Sequence, residues 1–122
     1  MVAAGGALGA VMRYGVAYAS LALVGGSFPL GTFVVNATGS FFLGFLAGAA
    51  EIVPISSGIR LLVMTGLLGA FTTFSTFSLD TVSLVRSGHL SMAFINVGLN
   101  VVVGLVALVA GLAASRLLVG AG

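Results

Sequence analysis

The chain has 122 residues, of which 60% are hydrophobic and only 5% charged. A soluble domain carries about 25% charged residues, so this surface is built for lipid rather than water. Four arginines against two acids give a formal charge of +2, too few charges for a nucleic-acid surface, and the absence of cysteine removes disulfides and thiolate metal sites.

Four apolar segments follow one another. A span needs about 20 residues to cross the hydrocarbon. The first runs from about Val2 to Val24, interrupted only by Arg13. It has no basic N-terminal region and merges into a full-length apolar stretch, so a span is expected there rather than a cleavable signal peptide. Gly5 and Gly9 stand at the spacing that lets two membrane helices approach closely. The glycines of Gly5-Gly6-Ala7-Leu8-Gly9 lack the preceding strand that a dinucleotide loop needs. Gly25 to Pro29 reads as a turn.

The second segment runs from about Leu30 to Ala50. Gly44 and Gly48 repeat the close-packing spacing, Ser40 extends the row, and Asn36 and Thr38 add polar groups. A short loop with Pro54 is expected from Glu51 to Ser57. The third segment, from about Gly58 to Val85, is longer than one straight span requires. The fourth, from about Leu90 to Leu118, carries Asn96 and Asn100 one turn apart on one face.

The excess length of the third segment has a natural explanation. Between Gly69 and Ser78, hydroxyl side chains and phenylalanines alternate. Ser and Thr compete for backbone hydrogen bonds, and consecutive β-branched residues are poor helix formers. A break is therefore expected at about residues 70–76. Within a membrane, irregular backbone is tolerated only where it is buried in protein or lines a polar cavity. It also frees carbonyls and N–H groups to meet ions.

Four spans put both termini on one side, together with Glu51, Arg60 and Arg116, and leave Arg86 on the other. Such a weak positive bias specifies orientation poorly, so insertion both ways round is plausible. A dimer is the economical arrangement for a chain too small to enclose a pore, and dual insertion would make it antiparallel.

The polar residues each have two readings. Asn36 is either an interhelical tie, worth roughly 0.6–2 kcal/mol, or a donor to an ion. Asn96 and Asn100 carry the same ambiguity. Phe74 and Phe77 belong either to the packing or to a site in which their electropositive ring edges face an anion. Arg13 either snorkels to the interface or sets a local positive potential. Asp80 and Glu51, the only acids, lie apart, so acid–base pairs and metal clusters have no support. The lack of an embedded carboxylate also argues against a proton-coupled carrier. Amides, hydroxyls and ring edges are neutral donors that can replace an anion's hydration without trapping it. That inventory points to passage of a small anion without choosing between fluoride and chloride.

Several strings, taken together, resemble one family: Gly6-Ala7-Leu8-Gly9-Ala10 with Arg13-Tyr14; Gly31-Thr32 with Asn36, Gly39-Ser40 and Gly44; and Gly66 to Ser78. They are similar to the CrcB/Fluc fluoride channels, over all four segments and in order. The resemblance implies an all-α membrane protein of four transmembrane helices in a single domain, the third broken. It further implies an antiparallel, dual-topology homodimer with two pores, exporting fluoride passively across the inner cell membrane. By this resemblance Phe74 and Phe77 would line the pores. Asn36 would be the pore asparagine, and Ser75 and Thr76 would lie by the break. Arg13 and Asp80 would belong to the vestibule. The carbonyls of Gly69 and Thr72 would hold a central structural Na⁺. Asn96 and Asn100 stand where relatives often carry Tyr and Ser, so the polar track would run through amides. Those departures leave open a non-conducting membrane scaffold, or a chain that conducts only beside a second subunit.

Overall fold

A computed structural model describes residues 1–121. Four helical passes are present, each long and apolar enough to cross a membrane. Helix α1 is Val2–Val24 and α2 is Leu30–Ile52. The third pass is split into α3, residues 57–71, and α4, Phe74–Arg86. The fourth pass, α5, is Leu90–Leu118. No strand occurs among the described residues.

The ends of these helices follow local chemistry. Gly25 closes α1 at φ 81°, and Gly88 turns the chain between α4 and α5 at φ 82°. Both are backbone states that only glycine adopts freely. The second helix runs two residues further than its apolar run suggests, so Glu51 is helical rather than in a loop. Pro54 lies just beyond and cannot continue the helix. The Ser56 hydroxyl accepts the Ile59 N–H at 3.3 Å and caps α3, which therefore starts at Ser57.

Two tight crossings organise the bundle. Across α1 and α3, a Cβ on Gly5 or Gly9 would run into the Leu62 or Leu67 carbonyl, and one on Gly66 would meet the Val2 carbonyl at 2.7 Å. Across α2 and α5, Gly44 and Gly111 lie against the Leu108 and Phe41 carbonyls in the same way, and Gly48 lies against the Ser115 hydroxyl. Lipid provides no hydrophobic drive between helices, so close backbone approach and the dispersion it allows hold these pairs. The Gly5–Gly9 and Gly44–Gly48 spacings expected from the sequence are thus both used.

Residues Arg60–Leu68 of α3 and Leu99–Val103 of α5 are wound as π-helix. Such widened turns are rare and concentrate at functional positions. The second of them contains Asn100.

Candidate functional site: a helix break at mid-depth

The third pass breaks over two residues, fewer than the 70–76 expected. Thr72 (φ −78°, ψ 156°) and Thr73 (φ −153°, ψ 121°) are extended, and the helix resumes at Phe74. Ser75 and Thr76 are helical because Thr73 caps the new helix. Its hydroxyl oxygen accepts the Thr76 N–H at 3.2 Å and donates to Thr76 Oγ1 at 3.0 Å. Ser78 is helical, and its hydroxyl donates to the Phe74 carbonyl at 2.9 Å.

Extended backbone in hydrocarbon needs partners, and α2 supplies them. Asn36 Oδ1 accepts the Thr73 N–H at 2.8 Å, and Asn36 Nδ2 donates to the Thr73 carbonyl at 3.1 Å. The side-chain amide pairs with Thr73 as a neighbouring strand would. On the other flank, Arg13 Nε donates to the Ala70 carbonyl at 3.0 Å. Thr72 returns to α3, its hydroxyl donating to the Leu68 carbonyl at 3.0 Å.

The break brings two helix ends of opposite polarity together. At the end of α3, the carbonyls of Gly69, Phe71 and Thr72 accept no hydrogen bond from the described residues. At the start of α4, the N–H groups of Phe74 and Ser75 donate none within them. The first end carries partial negative charge and suits a cation; the second suits an anion. The Gly69, Phe71 and Thr72 carbonyls are the groups at this end that could meet a cation. Gly69, Phe74 and Ser75 are exposed on the chain's uncovered face, Phe74 at 79%. Phe77 is buried, its ring centroid 5.5 Å from that of Phe74 and tilted by 55°.

A cavity of about 690 Å³ opens beside the α1–α2 turn and reaches Thr32, Thr76 and Asp80. A second, of about 240 Å³, shares Ala17, Gly31, Thr32 and Thr76 with it and continues to Arg13 and Thr73. Together they lead from one end of the bundle to the break. The Thr32 hydroxyl donates to Asp80 Oδ2 at 2.6 Å within this path.

A family model described as CrcB-like protein, Camphor Resistance (CrcB), matches residues 1–112. The chain belongs to the CrcB family. It is 48% identical over 101 residues to a protein of Shewanella amazonensis, covering 83% of this chain and 82% of that one. It is 41% identical over 119 residues to one of Maridesulfovibrio salexigens, covering 97% and 94%. A third, from Agrobacterium fabrum, is 46% identical over 117 residues, covering 95% and 94%. All three relatives are named fluoride-specific ion channel FluC. With its four spans, the CrcB chain is a multi-pass membrane protein, and it is not an enzyme.

In this CrcB chain the residues singled out from sequence divide into three groups. Arg13, Asn36, Gly69, Thr72, Phe74, Ser75, Thr76 and Phe77 gather on or beside the break. Asp80 lies one turn beyond, on the cavity wall. Asn96 is fully buried, and Asn100 sits between it and Asn36. Asn100 accepts from Asn36 Nδ2 at 2.8 Å and donates to Asn96 Oδ1 at 3.0 Å. Sequence reasoning gave no site role to Thr73, Thr32 or Thr81. A usable signal existed for two of them: Thr32 stands four residues before Asn36, hence on its helix face, and Thr73 stands three residues before Thr76, as an N-cap does.

Proposed function

We propose that the chain is a fluoride-specific channel, passing fluoride passively out of the cell through the inner membrane. In this reading two inverted copies form an antiparallel homodimer with two pores, each copy a single four-helix transmembrane domain. The names of the relatives support fluoride as the ion. The physical support is one observation: the third pass presents a helix N-terminus at mid-depth, surrounded by neutral donors.

The path follows the cavity from the bundle end past Thr32 and Asp80 to Arg13 and Thr76. Arg13 supplies positive potential beside the break, and its Nε bond to the Ala70 carbonyl holds it there. At the break the anion meets the free N–H groups of Phe74 and Ser75, the hydroxyls of Ser75 and Thr76, and the ring edges of Phe74 and Phe77. Asn36 and the amides of Asn96 and Asn100 form the wall behind. At the break itself only Arg13 carries a formal charge; Asp80 stands one turn away, bound by the Thr32 hydroxyl. The neutral donors replace hydration without a tight ion pair, so the ion can leave as well as enter.

The exposed Phe74 and the open carbonyls of Gly69 and Thr72 support a second copy on this face. Na⁺ bound between the two copies would offset the partial negative charge that these open carbonyls present. Gly69 and Thr72 are the residues of this chain that would hold it.

The test is fluoride efflux from liposomes holding this chain alone, with chloride as control. Rapid fluoride efflux without chloride efflux is expected. Equal permeation would overturn the selectivity. Efflux only beside a second, different subunit would overturn the homodimer.

A further inference from the structure

A circuit of hydrogen bonds leaves α4 at Thr73 and returns to it one turn later. The Thr73 N–H donates to Asn36 Oδ1 at 2.8 Å. Asn36 Nδ2 donates to Asn100 Oδ1 at 2.8 Å, and Asn100 Nδ2 to Asn96 Oδ1 at 3.0 Å. Asn96 Nδ2 donates to Thr81 Oγ1 at 2.9 Å, and the Thr81 hydroxyl donates to the Phe77 carbonyl at 2.8 Å.

Every link points the same way. The two ends are backbone groups, a donor at Thr73 and an acceptor at Phe77, and neither can reverse. Turning any one amide over would set oxygen against oxygen on one side and N–H against N–H on the other. The polarity of the whole circuit is therefore fixed by its ends.

The circuit also consumes its amides. Both Asn36 protons are used, on the Thr73 carbonyl and on Asn100. Asn100 Nδ2 is directed at Asn96, within 2.9 Å of its backbone oxygen and 3.0 Å of its side-chain oxygen. Asn96 is 0% exposed. None of the amide protons so engaged is free for a passing ion.

We propose that Asn96, Asn100 and Thr81 are positioning residues. Together with Asn36 they brace the first turn of α4 at both its ends. That turn carries Phe74, Ser75 and Phe77, so the circuit sets where those groups stand. This assignment rests on the channel reading only for its effect on flux; the circuit itself does not.

The chain contains three asparagines and no glutamine, so all its side-chain amides lie in the circuit. Protein labelled with ¹⁵N-asparagine in detergent micelles should give three pairs of side-chain amide signals. Thr81→Val removes the hydroxyl at nearly constant volume. It should shift the Asn36 pair, although the two residues are joined only through Asn100 and Asn96, and it should speed deuterium exchange of all three pairs about tenfold, as loss of one buried hydrogen bond implies. A response confined to Asn96 would overturn the circuit.

Flux gives the second readout. Thr81→Val and Asn100→Leu should each lower fluoride efflux about tenfold, and Thr81→Ser, which keeps the hydroxyl, should restore both efflux and spectrum. The double variant should be no slower than the slower single, because one broken link already opens the circuit. Multiplying losses, or a Thr81→Ser as poor as Thr81→Val, would overturn the positioning role. If Asn100→Leu fails to fold, the Val and Ser variants at position 81 decide it. Wild-type protein that passes no fluoride would remove the channel reading and leave the amide spectra to judge the circuit.

Discussion

Asn36 holds Thr73 by both of its backbone polar groups, accepting its N–H at 2.8 Å and donating to its carbonyl at 3.1 Å. The pair explains how a helix can stop and restart in hydrocarbon. An unsatisfied backbone group in the bilayer costs several kcal/mol, and a side-chain amide offers the donor and acceptor that an extended residue requires.

Replacing that amide should therefore lower both stability and flux. Asn36→Asp retains an acceptor for the Thr73 N–H but, when ionised, sets negative oxygens against the Thr73 carbonyl and Asn100 Oδ1. Asn36→Ala removes both bonds and leaves both Thr73 groups without that partner. Each should lose about 1–3 kcal/mol of stability and at least tenfold of fluoride flux. Thermal denaturation in detergent and liposome efflux would measure the two effects. Full flux from both variants would detach Asn36 from the site.

Much of this was legible beforehand, for physical reasons. Four spans follow from apolar length alone. The glycine crossings follow from spacing, because helix periodicity puts Gly5 with Gly9 and Gly44 with Gly48. The break was visible in adjacent Thr72 and Thr73, yet its extent was overstated. Sequence cannot tell whether a hydroxyl competes with the helix or serves it, and the Thr73 hydroxyl serves it by capping α4. The circuit through Asn96 and Thr81 was not legible, since it depends on contacts between α4 and α5 fixed only when both have packed. The π winding at Leu99–Val103 left no trace in the apolar pattern.

The α2–α5 crossing offers a comparison within one interface. A Cβ on Gly111 would overlap the Phe41 carbonyl and lie 2.7 Å from the Phe45 nitrogen, both backbone atoms. A Cβ on Gly104, two helical turns away, would meet nothing nearer than Ser40 Oγ at 3.8 Å. Gly111→Ala should cost about 1–3 kcal/mol, as overpacking does. Gly104→Ala should be neutral or gain up to about 1 kcal/mol from helix propensity. Equal losses in a detergent melt would mean that the two helices cross differently.

On the proposed reading, the open carbonyls of Gly69 and Thr72 need a cation between two copies. Replacing Na⁺ on both sides of the membrane by a large organic cation should abolish fluoride efflux, and returning Na⁺ should restore it. The effect should be independent of chloride. Unchanged efflux after thorough exchange would remove Na⁺ from the assembly.

Phe74 and Phe77 separate pore chemistry from packing. Their rings lie 5.5 Å apart, yet Phe74 is 79% exposed and Phe77 only 9%. Burial controls stability, so Phe77→Ile should destabilise the chain by about 1–3 kcal/mol through imperfect repacking. Phe74→Ile removes an exposed ring and should leave the stability of the single chain within about 0.5 kcal/mol. Both remove an aromatic edge, whose positive rim an aliphatic group cannot supply. If ring edges meet the ion, Phe74→Ile should lose at least tenfold in flux despite its normal melt. If Phe74 merely faces lipid, its flux should match wild type. A normal melt and unchanged dimer content paired with lost flux is the outcome that assigns Phe74 to the ion path, since packing damage within or between the copies cannot produce it.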